Sequence, residues 1–324
     1  MRFPPIFAAF FVWIPAAVAQ QTAQPPIIDM HLHAYEVNGP VDGGCPPQDS
    51  FPAWDAKLSP NYVFTNFRCA NHVKSPGSSD ELMSVTLAAL NRFNITAMTS
   101  GPPETVDRWK KAGGARILPA TDFDAKRSSP SPAELREWIK SRRIVALAEL
   151  GNQYEGVPVT SPLLEPYFAL AEELDVPVGI HMGPGPPGAP YLGEDTKEYR
   201  ARLSSLLQLE EVLVRHPKLR IWAMHAGWPL GDDAIATLYA HPQLYVDVGV
   251  IDYFLPRAEF YSYLKRLVDA GFENRIMFGS DQMIFPDAIG EAIKSIESAP
   301  FLTEEQKRDI FYNNAARFLR LTQQ

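Results

Sequence analysis

Eight short apolar runs, separated by stretches with a helical period, limit most strongly how this chain can fold. We predict strands over residues 27–31, 95–99, 115–120, 144–149, 178–181, 221–225, 244–248 and 276–279. Helical patterns lie between them, as at residues 81–93, 132–142, 163–174 and 200–215. Eight strand–helix units in about 300 residues match a parallel barrel better than an open sheet. The predicted fold class is α/β, a (β/α)8 barrel of the TIM type.

Two connections are too long to be simple turns. One follows the first strand, over residues 34–79, and the other follows the fifth strand, over residues 182–199. Long loops in a compact domain are usually lids or binding loops. Both leave carboxyl ends of strands, the face at which barrel enzymes hold their sites. The alternative for the second loop, which is rich in proline, is a rigid linker without a chemical role.

The first residues have the pattern of a cleavable signal peptide. Arg2 gives a positive start, residues 6–14 form a short apolar core, and residues 17–19 (Ala-Val-Ala) fit the small-x-small cleavage rule. We predict a signal peptide over 1–19, a cut between Ala19 and Gln20, and a single barrel domain over 20–324. The apolar core is too short to span a bilayer, although an uncleaved anchor is the competing interpretation. The expected location is secreted or periplasmic.

The charge pattern points away from polyanionic partners. The net charge is −8, and acidic and basic residues are interspersed without a basic patch. Nucleic acid and anionic membrane are therefore not expected partners, and a small-molecule substrate is. Only two cysteines are present, Cys45 and Cys69. In an oxidising compartment they are a reasonable disulfide, worth roughly 3 kcal/mol in the loop-entropy model.

Six metal-ligand side chains lie at the ends of five predicted strands: His31, His33, Glu149, His181, His225 and Asp281. Side chains i and i+2 of a strand share a face, so the two histidines of the first strand point the same way. The carboxyl ends of barrel strands converge, so all six would meet. Imidazole and carboxylate together suit zinc and similar cations and do not suit calcium. The sequence therefore predicts a metal site.

With these residues in place, the chain resembles the amidohydrolase superfamily, in particular the branch that includes decarboxylases and lactonases of aromatic and muconic acid breakdown. The resemblance covers essentially all of the mature chain. The matching segments are 29–33 (Asp-Met-His-Leu-His), the strand ending at Glu149, His181, 224–228 (Met-His-Ala-Gly-Trp), 278–281 (Phe-Gly-Ser-Asp) and 311–317 (Phe-Tyr-Asn-Asn-Ala-Ala-Arg).

The resemblance implies two versions of the metal site. In the binuclear version, the first-strand histidines and Asp281 bind the more buried ion, His181 and His225 bind a second, and Glu149 bridges them. Single-metal members of the branch instead use the first-strand pair, the fifth-strand histidine and the last-strand aspartate, and the sixth-strand histidine acts as acid or base. Glu149 distinguishes the two versions, because in the single-metal version it would contact the ligands without binding the metal itself. The implied cofactor is a divalent metal, with zinc expected, as one or two ions.

Three functions fit these residues. The first is a metal-dependent hydrolase, in which metal-activated water attacks an ester, lactone or amide and Asp281 accepts the proton of the water. His225 is the second catalytic candidate, as a stabiliser of the oxyanion in a single-metal site. The second function is a metal-dependent, non-oxidative decarboxylase of an aromatic or unsaturated acid, which uses the same histidines and Asp281. The third is a metal-stabilised binding protein without turnover.

Five side chains at or just past strand ends are candidate substrate contacts: Tyr35, Gln153, Tyr154, Trp228 and Asp252. Each could equally pack the rim of the barrel. An aromatic-lined mouth would suit an apolar or aromatic acyl group. The sequence leaves the oligomeric state and the identity of the substrate open. It contains neither a Gly-rich nucleotide loop nor a Gly-x-Ser-x-Gly elbow, which disfavours a nucleotide enzyme and a serine hydrolase.

Overall fold

Eight parallel strands form the centre of the computed structural model, which describes residues 24–123, 126 and 130–321. Labelled β1 to β8 in chain order, they are Ile27–His33, Ile95–Ser100, Ile117–Phe123, Ala146–Leu150, Val178–His181, Ile221–Met224, Tyr245–Asp247 and Ile276–Met277. Each strand pairs in parallel with the next along the chain. The last strand returns to β1, where the Met30 amide donates to the Phe278 carbonyl at 2.9 Å. The predicted TIM-type barrel is confirmed.

All eight predicted strands are present, with ends displaced by a few residues. The largest displacement is at β3, which was expected over residues 115–120. A 3-10 turn, Gly114–Arg116, takes up the start of that segment, and the strand continues to Phe123. His225 was expected inside the sixth strand but lies just beyond β6, in the 3-10 turn His225–Gly227.

Helices cover the outside of the barrel. Labelled α1 to α12 in chain order, they are Tyr62–Thr65, Ser79–Arg92, Pro103–Gly113, Pro132–Lys140, Glu165–Glu173, Glu210–Arg215, Gly231–Ala240, Ile251–Phe254, Arg257–Asp269, Ala288–Glu297, Glu304–Arg308 and Asn314–Phe318. A π-helical segment, Asp309–Asn313, joins the last two. Among these helices none combines the length and the apolar character needed to cross a membrane.

The helix predicted over residues 200–215 is broken. Two 3-10 turns, Ala201–Ser204 and Leu206–Leu209, precede α6. Ser205 has an extended backbone between them, and the Ser204 hydroxyl donates to the carbonyl of Gly183 at 2.8 Å. Serine side chains compete with helical hydrogen bonds in this way, which the apolar period alone does not show.

The core has two layers. The larger lies between the sheet and the helices and contains Leu32, Leu147 and Leu150 among many others. The smaller fills the amino-terminal half of the barrel interior with the side chains of Ile28, Met30, Met98, Ala120, Ala146, Ala148, Trp222, Met224 and Met277, and residues of the last helix pack beneath it. Full burial of each large apolar side chain stabilises the fold by roughly 1.5–3 kcal/mol.

The loop after β1 is a small subdomain on the carboxyl face of the barrel. It contains two short antiparallel strands, Asp42–Gly44 and Val73–Lys74. The Cys45–Cys69 disulfide, a pairing that the sequence suggested but left open, ties it together. It reaches the loop after β5, where the rings of Trp54 and Tyr191 lie 5.1 Å apart. Both predicted long loops thus lie over the same face. The predicted signal peptide and its cleavage point lie outside the residues that the structure describes.

Candidate metal centre

A register shift in β1 precedes the first two candidate ligands, His31 and His33. The pairing of β1 with β2 shifts between Asp29 and Leu32, and an Asp29 carboxylate oxygen accepts the backbone amides of His31 and Ser280, each at 2.9 Å. Leu32 packs in the outer core. The two histidines therefore share the inner face, as the strand period predicts.

Both first-strand histidines contact the same two carboxylates. His31 Nε2 lies 3.5 Å from Glu149 Oε2 and 3.4 Å from Asp281 Oδ1. His33 Nε2 lies 3.2 Å and 3.1 Å from the same atoms. His31 Nε2 is fully buried and has no hydrogen-bond partner. A buried nitrogen without a partner beside a buried and a partly buried carboxylate is costly unless a cation is bound between them. The donor set of two imidazoles and two carboxylates fits such an ion.

Glu149 connects these ligands to the other two histidines. Its Oε1 lies 3.9 Å from His181 Nε2. The His181 and His225 rings are 4.6 Å apart, and His225 Nδ1 lies 4.0 Å from Asp281 Oδ2. All six predicted side chains therefore come together. The donor atoms of His31, Glu149 and His225 lie within 4.8 Å of one another, as do those of the first-strand pair with Asp281.

Asp247, which the sequence analysis missed, orients two of these histidines. It lies 3.3 Å from His31 Nδ1 and accepts the backbone amide of His225 at 3.1 Å. It also accepts the Trp222 indole N–H at 3.2 Å. His225 Nδ1 lies 2.8 Å from the Gly249 carbonyl. A carbonyl only accepts, so Nδ1 carries the proton and the Nε2 lone pair is left for a ligand. The position of Asp247 at the end of a predicted strand was the available signal.

The other two histidines are held in the same way. His33 Nδ1 lies 3.0 Å from the Ser100 hydroxyl, and His181 Nδ1 donates to the Gln153 side-chain carbonyl at 2.7 Å. Fixed Nδ1 partners are typical of metal-binding histidines, because they set both the tautomer and the ring orientation. His181 differs in one respect: the Tyr154 hydroxyl lies 3.0 Å from its Nε2.

The carboxylates control the charge of the first-strand histidines. Burial opposes protonation of His33, but contacts with Asp281 and Glu149 outweigh it and raise its pKa to about 9. The pKa of His31 is raised well above its ordinary value, because Asp281 and Asp247 outweigh the same effect of burial. Burial would raise the pKa of Glu149, yet the two histidines hold it well below its ordinary value. The carboxylates thus require positive charge beside them, which a cation supplies.

His181 has the opposite behaviour. Burial, reinforced by repulsion from His225, lowers its pKa to about 3. A histidine that stays neutral over the physiological range keeps a lone pair for a metal. The site therefore contains two kinds of imidazole, distinguished by their distance from the carboxylates.

The backbone around the cluster is strained and closely packed. His225 has φ 59° and Asp281 has φ 44°, in the left-handed region. Such conformations cost roughly 1–3 kcal/mol each and persist where the surroundings hold them. A Cβ on Gly183 would lie 2.2 Å from the His225 Cβ, so only glycine allows this approach. The two strained residues are also the two predicted catalytic candidates.

Two cavities border the cluster. The larger has a volume of about 770 Å³ and the smaller about 460 Å³. Glu149, Tyr35 and Tyr154 line both of them. Trp228 lines the larger cavity, with His33, His181, His225 and Asp281. Three of the five predicted substrate contacts therefore face open space beside the metal centre.

The other two candidates lie behind the cavity walls. Gln153 is fully buried and lines neither cavity, because its amide is bonded to His181, Ser204 and the Gly183 carbonyl. Asp252 is also fully buried and lines neither cavity, although its neighbours in α8 do. The expectation that these two side chains touch a substrate does not match their positions. Sequence places a residue near a strand end but does not give the direction of its side chain in a loop.

The chain belongs to the amidohydrolase family, whose sequence model matches residues 28–321. No curated protein matches the chain in sequence. The fold, the family and the cluster of histidines and carboxylates therefore agree with a candidate metal site on a TIM barrel.

Solved structures share the fold at low sequence identity. A probable 2-pyrone-4,6-dicarboxylic acid hydrolase from Acinetobacter baumannii superposes with a TM-score of 0.58 at 14% identity, covering 92% of this chain and 100% of that one. A 4-oxalomesaconate hydratase from Rhodopseudomonas palustris gives 0.54 at 14%, covering 91% and 95%. A manganese-bound 5-carboxyvanillate decarboxylase mutant from Novosphingobium aromaticivorans gives 0.54 at 14%, covering 72% and 80%. Three kinds of reaction thus occur on this fold.

Proposed function

We propose that this protein is a metal-dependent hydrolase that cleaves an ester, lactone or amide bond of a small molecule. The position of Glu149 carries the proposal. One of its oxygens contacts the first-strand histidines and the other faces His181. That is the placement expected of a carboxylate between two ions, and it distinguishes the hydrolytic version of the site from the single-metal version.

The residues present fit a divalent cation, with zinc as our first choice. His31, His33, Glu149 and Asp281 would hold one ion, and the remaining two histidines would complete a second position. When bound, such a cation lowers the pKa of water toward about 7 and polarises a carbonyl oxygen.

Asp281 is positioned to move the proton. Its Oδ1 contacts the first-strand histidines, while Oδ2 lies 4.0 Å from His225 Nδ1. The side chain is 8% exposed and borders the larger cavity. We assign to it the acceptance of a proton from the attacking water and its delivery to the leaving group. His225 is held in place by the Gly249 carbonyl and by Asp247, so its ring would keep a fixed orientation beside Asp281.

Tyr154 adds a hydrogen-bond donor beside His181. Its hydroxyl is 3.0 Å from His181 Nε2 and its ring lines both cavities. Burial, together with the charges of Glu149 and Asp281, raises its pKa well above the ordinary value. The phenol therefore keeps its proton and can donate to an oxyanion that develops beside the metal centre.

Decarboxylation is the second candidate, because solved neighbours with this fold include a decarboxylase. It needs the same histidines and Asp281. The contacts of Glu149 with His31 and His33 count against decarboxylation, because they favour the binuclear version of the site. Binding without turnover is the third candidate. The exposure of Glu149 and Asp281, 12% and 8%, toward the cavities leaves room for water and substrate, which structural metal sites lack.

Metal content tests the proposal. We would measure metal per chain by elemental analysis of wild type and Glu149→Ala, both purified without chelators, with Glu194→Ala as a control on an exposed carboxylate. Two ions in wild type and in the control, falling toward one in Glu149→Ala, is the expected result. One ion in all three would make Glu149 a supporting residue and raise decarboxylation to an equal candidate. A folded protein without metal would end the proposal.

We also propose that the protein is exported, to the periplasm or the cell exterior. The Cys45–Cys69 disulfide supports this, because disulfides persist in oxidising compartments. The N-terminal sequence of the purified protein would test it, with Gln20 as the expected first residue. An intact Met1 in the exported protein would contradict cleavage.

A further inference from the structure

The wall of the larger cavity is apolar apart from the metal centre itself. Aromatic and aliphatic side chains make up most of it, including Phe51, Phe67, Phe254, Leu255, Ile284 and Phe285. Its ionisable groups are Glu149, Asp281, three histidines of the cluster and three tyrosines. Among the wall residues that the structure describes there is no lysine or arginine.

Arg257, which is close in sequence to the wall residues Phe254 and Leu255, does not supply a cation to the cavity. Arg257 donates to the backbone carbonyl of Asp252 at 2.6 Å, and its guanidinium lies over the rings of Tyr261 and Phe260 at 5.6 Å and 6.0 Å. It does not line the cavity. A carboxylate on the distal part of a substrate would therefore meet no lysine or arginine among the described wall residues, in a space that already contains two carboxylates.

The smaller cavity has a different lining. Thr121, Asp122, Glu155 and Asp195 lie on its wall. The larger cavity, with its more apolar wall, is therefore the more favourable place for an apolar group of a substrate. Its volume of about 770 Å³ is within the range that holds drug-sized ligands.

Contacts among the wall residues fix the shape of the larger cavity. The rings of Phe51 and Phe67 pack on Phe254 with centroids 5.9 Å and 5.5 Å apart. The Gln48 backbone N–H donates to the Phe254 backbone carbonyl at 3.0 Å, three residues after Cys45 of the disulfide. A preformed apolar wall favours binding because little ordering is needed.

We propose that the substrate places an uncharged, apolar acyl chain or ring system in the larger cavity, with its scissile carbonyl at Glu149 and Asp281. This inference rests on the hydrolytic function proposed above. Substrates with a carboxylate on that group are disfavoured, because an unpaired charge in an apolar space is costly.

A matched pair of esters tests this substrate class. The 4-nitrophenyl ester of octanoic acid carries a neutral chain, and the 4-nitrophenyl monoester of suberic acid has the same chain length with a terminal carboxylate. We expect kcat/KM of the metal-loaded wild type to be about 100-fold higher for the octanoate, because a buried charge without a partner carries a penalty of that order.

A variant of the wall makes the test specific. Ile284 is half-buried on the cavity wall, so Ile284→Lys supplies the missing cation. We expect the preference for the octanoate to fall at least about 10-fold. Val214→Lys, on the outer helix α6 where Val214 is 67% exposed, is the matched control and should retain the wild-type preference. Binding of a neutral ketone, 2-undecanone, measured by displacement of Nile red, should weaken in Ile284→Lys alone.

The outcomes separate the two proposals. Equal or faster hydrolysis of the suberate monoester by wild type would overturn the inference and leave hydrolysis standing. If wild type hydrolyses neither ester but binds 2-undecanone, and this binding is weaker in Ile284→Lys, the result would support the apolar cavity and count against the hydrolytic function. Failure of wild type to bind 2-undecanone would overturn the inference directly.

Discussion

The two halves of the barrel interior differ in composition and in backbone regularity. The amino-terminal half is apolar, with Trp222 at its centre and Phe318 of the last helix beneath it, ring centroids 5.7 Å apart. The carboxyl half contains the buried histidines and carboxylates. Register shifts in β1, β3 and β4 fall where the strands pass into this second half. Regular strand pairing thus accompanies the apolar half, whereas irregular pairing accompanies the half that contains the histidines and carboxylates.

Glu149 shows how the irregularity works. Ala146 and Ala148 face the barrel interior, whereas Leu147 and Leu150 pack in the outer core. Strict alternation would turn Glu149 outward with Leu147. The shift between Leu147 and Leu150 turns it inward to the histidines instead. A regular strand with the same sequence would leave the site without this carboxylate.

The comparison predicts that catalytic activity and folding stability can be lost separately. Asp281→Asn should give the largest effect, and that effect should be on kcat. It removes the proposed proton acceptor while conserving volume, so kcat should fall by about 10²–10⁴-fold. The urea midpoint should change little, because the apolar half is untouched. Steady-state kinetics and urea unfolding of the same preparation would check both. A residual kcat within a few-fold of wild type would remove Asp281 from the mechanism.

Phe318→Ala should give the converse result. Phe318 is 3% exposed and packs on Trp222 and Tyr245, so the cavity left behind should cost roughly 3–5 kcal/mol of unfolding free energy. Metal content and kcat of the folded fraction should stay near wild type. Tyr239→Ala, at a position 84% exposed, is the control and should be neutral. Loss of metal in folded Phe318→Ala would show that the halves are coupled.

Much of this division was predictable from the sequence. Apolar runs gave all eight strands, and the polar residues that end them gave the six members of the cluster. Periodicity could not show the register shifts, since those depend on pairing between strands. Nor does periodicity give the direction of a side chain beyond a strand end. Gln153 and Asp252 were expected at the substrate, whereas Gln153 holds His181 and Asp252 lies behind the cavity wall.

Asp247→Asn tests the boundary between the two halves of the barrel interior. Asp247 contacts Trp222 of the apolar half, and His31 and His225 of the carboxyl half. Asparagine keeps the shape but loses the charge that orients the ring of His31. Metal affinity should fall about 10–100-fold, as measured by competition with a chromogenic chelator. Asp269→Asn, on an exposed helix end, should leave the affinity unchanged. An unchanged affinity in Asp247→Asn would mean that packing alone orients the rings.

Asp252→Asn should give the smallest effect and a dependence on pH. Burial raises the pKa of Asp252 well above 3.8; Arg257 opposes this, and the charges of Asp29, Asp247 and Asp281 add to it. A carboxyl that holds its proton more tightly when folded destabilises the fold as pH rises above about 4. The variant should therefore gain about 1 kcal/mol at pH 8 and nothing at pH 4, by urea unfolding. An equal gain at both pH values would exclude titration as the cause.

The Cys45–Cys69 disulfide lies in the loop that walls the larger cavity, where it packs with Val63 and Phe67. Selectivity among substrates would then depend on oxidation of the two cysteines, a step that can follow the folding of the barrel and of the metal centre. Protein made in a reducing cytosol would be expected to fold, take up metal and turn over small substrates, yet discriminate poorly among large ones. Screening for the natural substrate should therefore begin with oxidised protein.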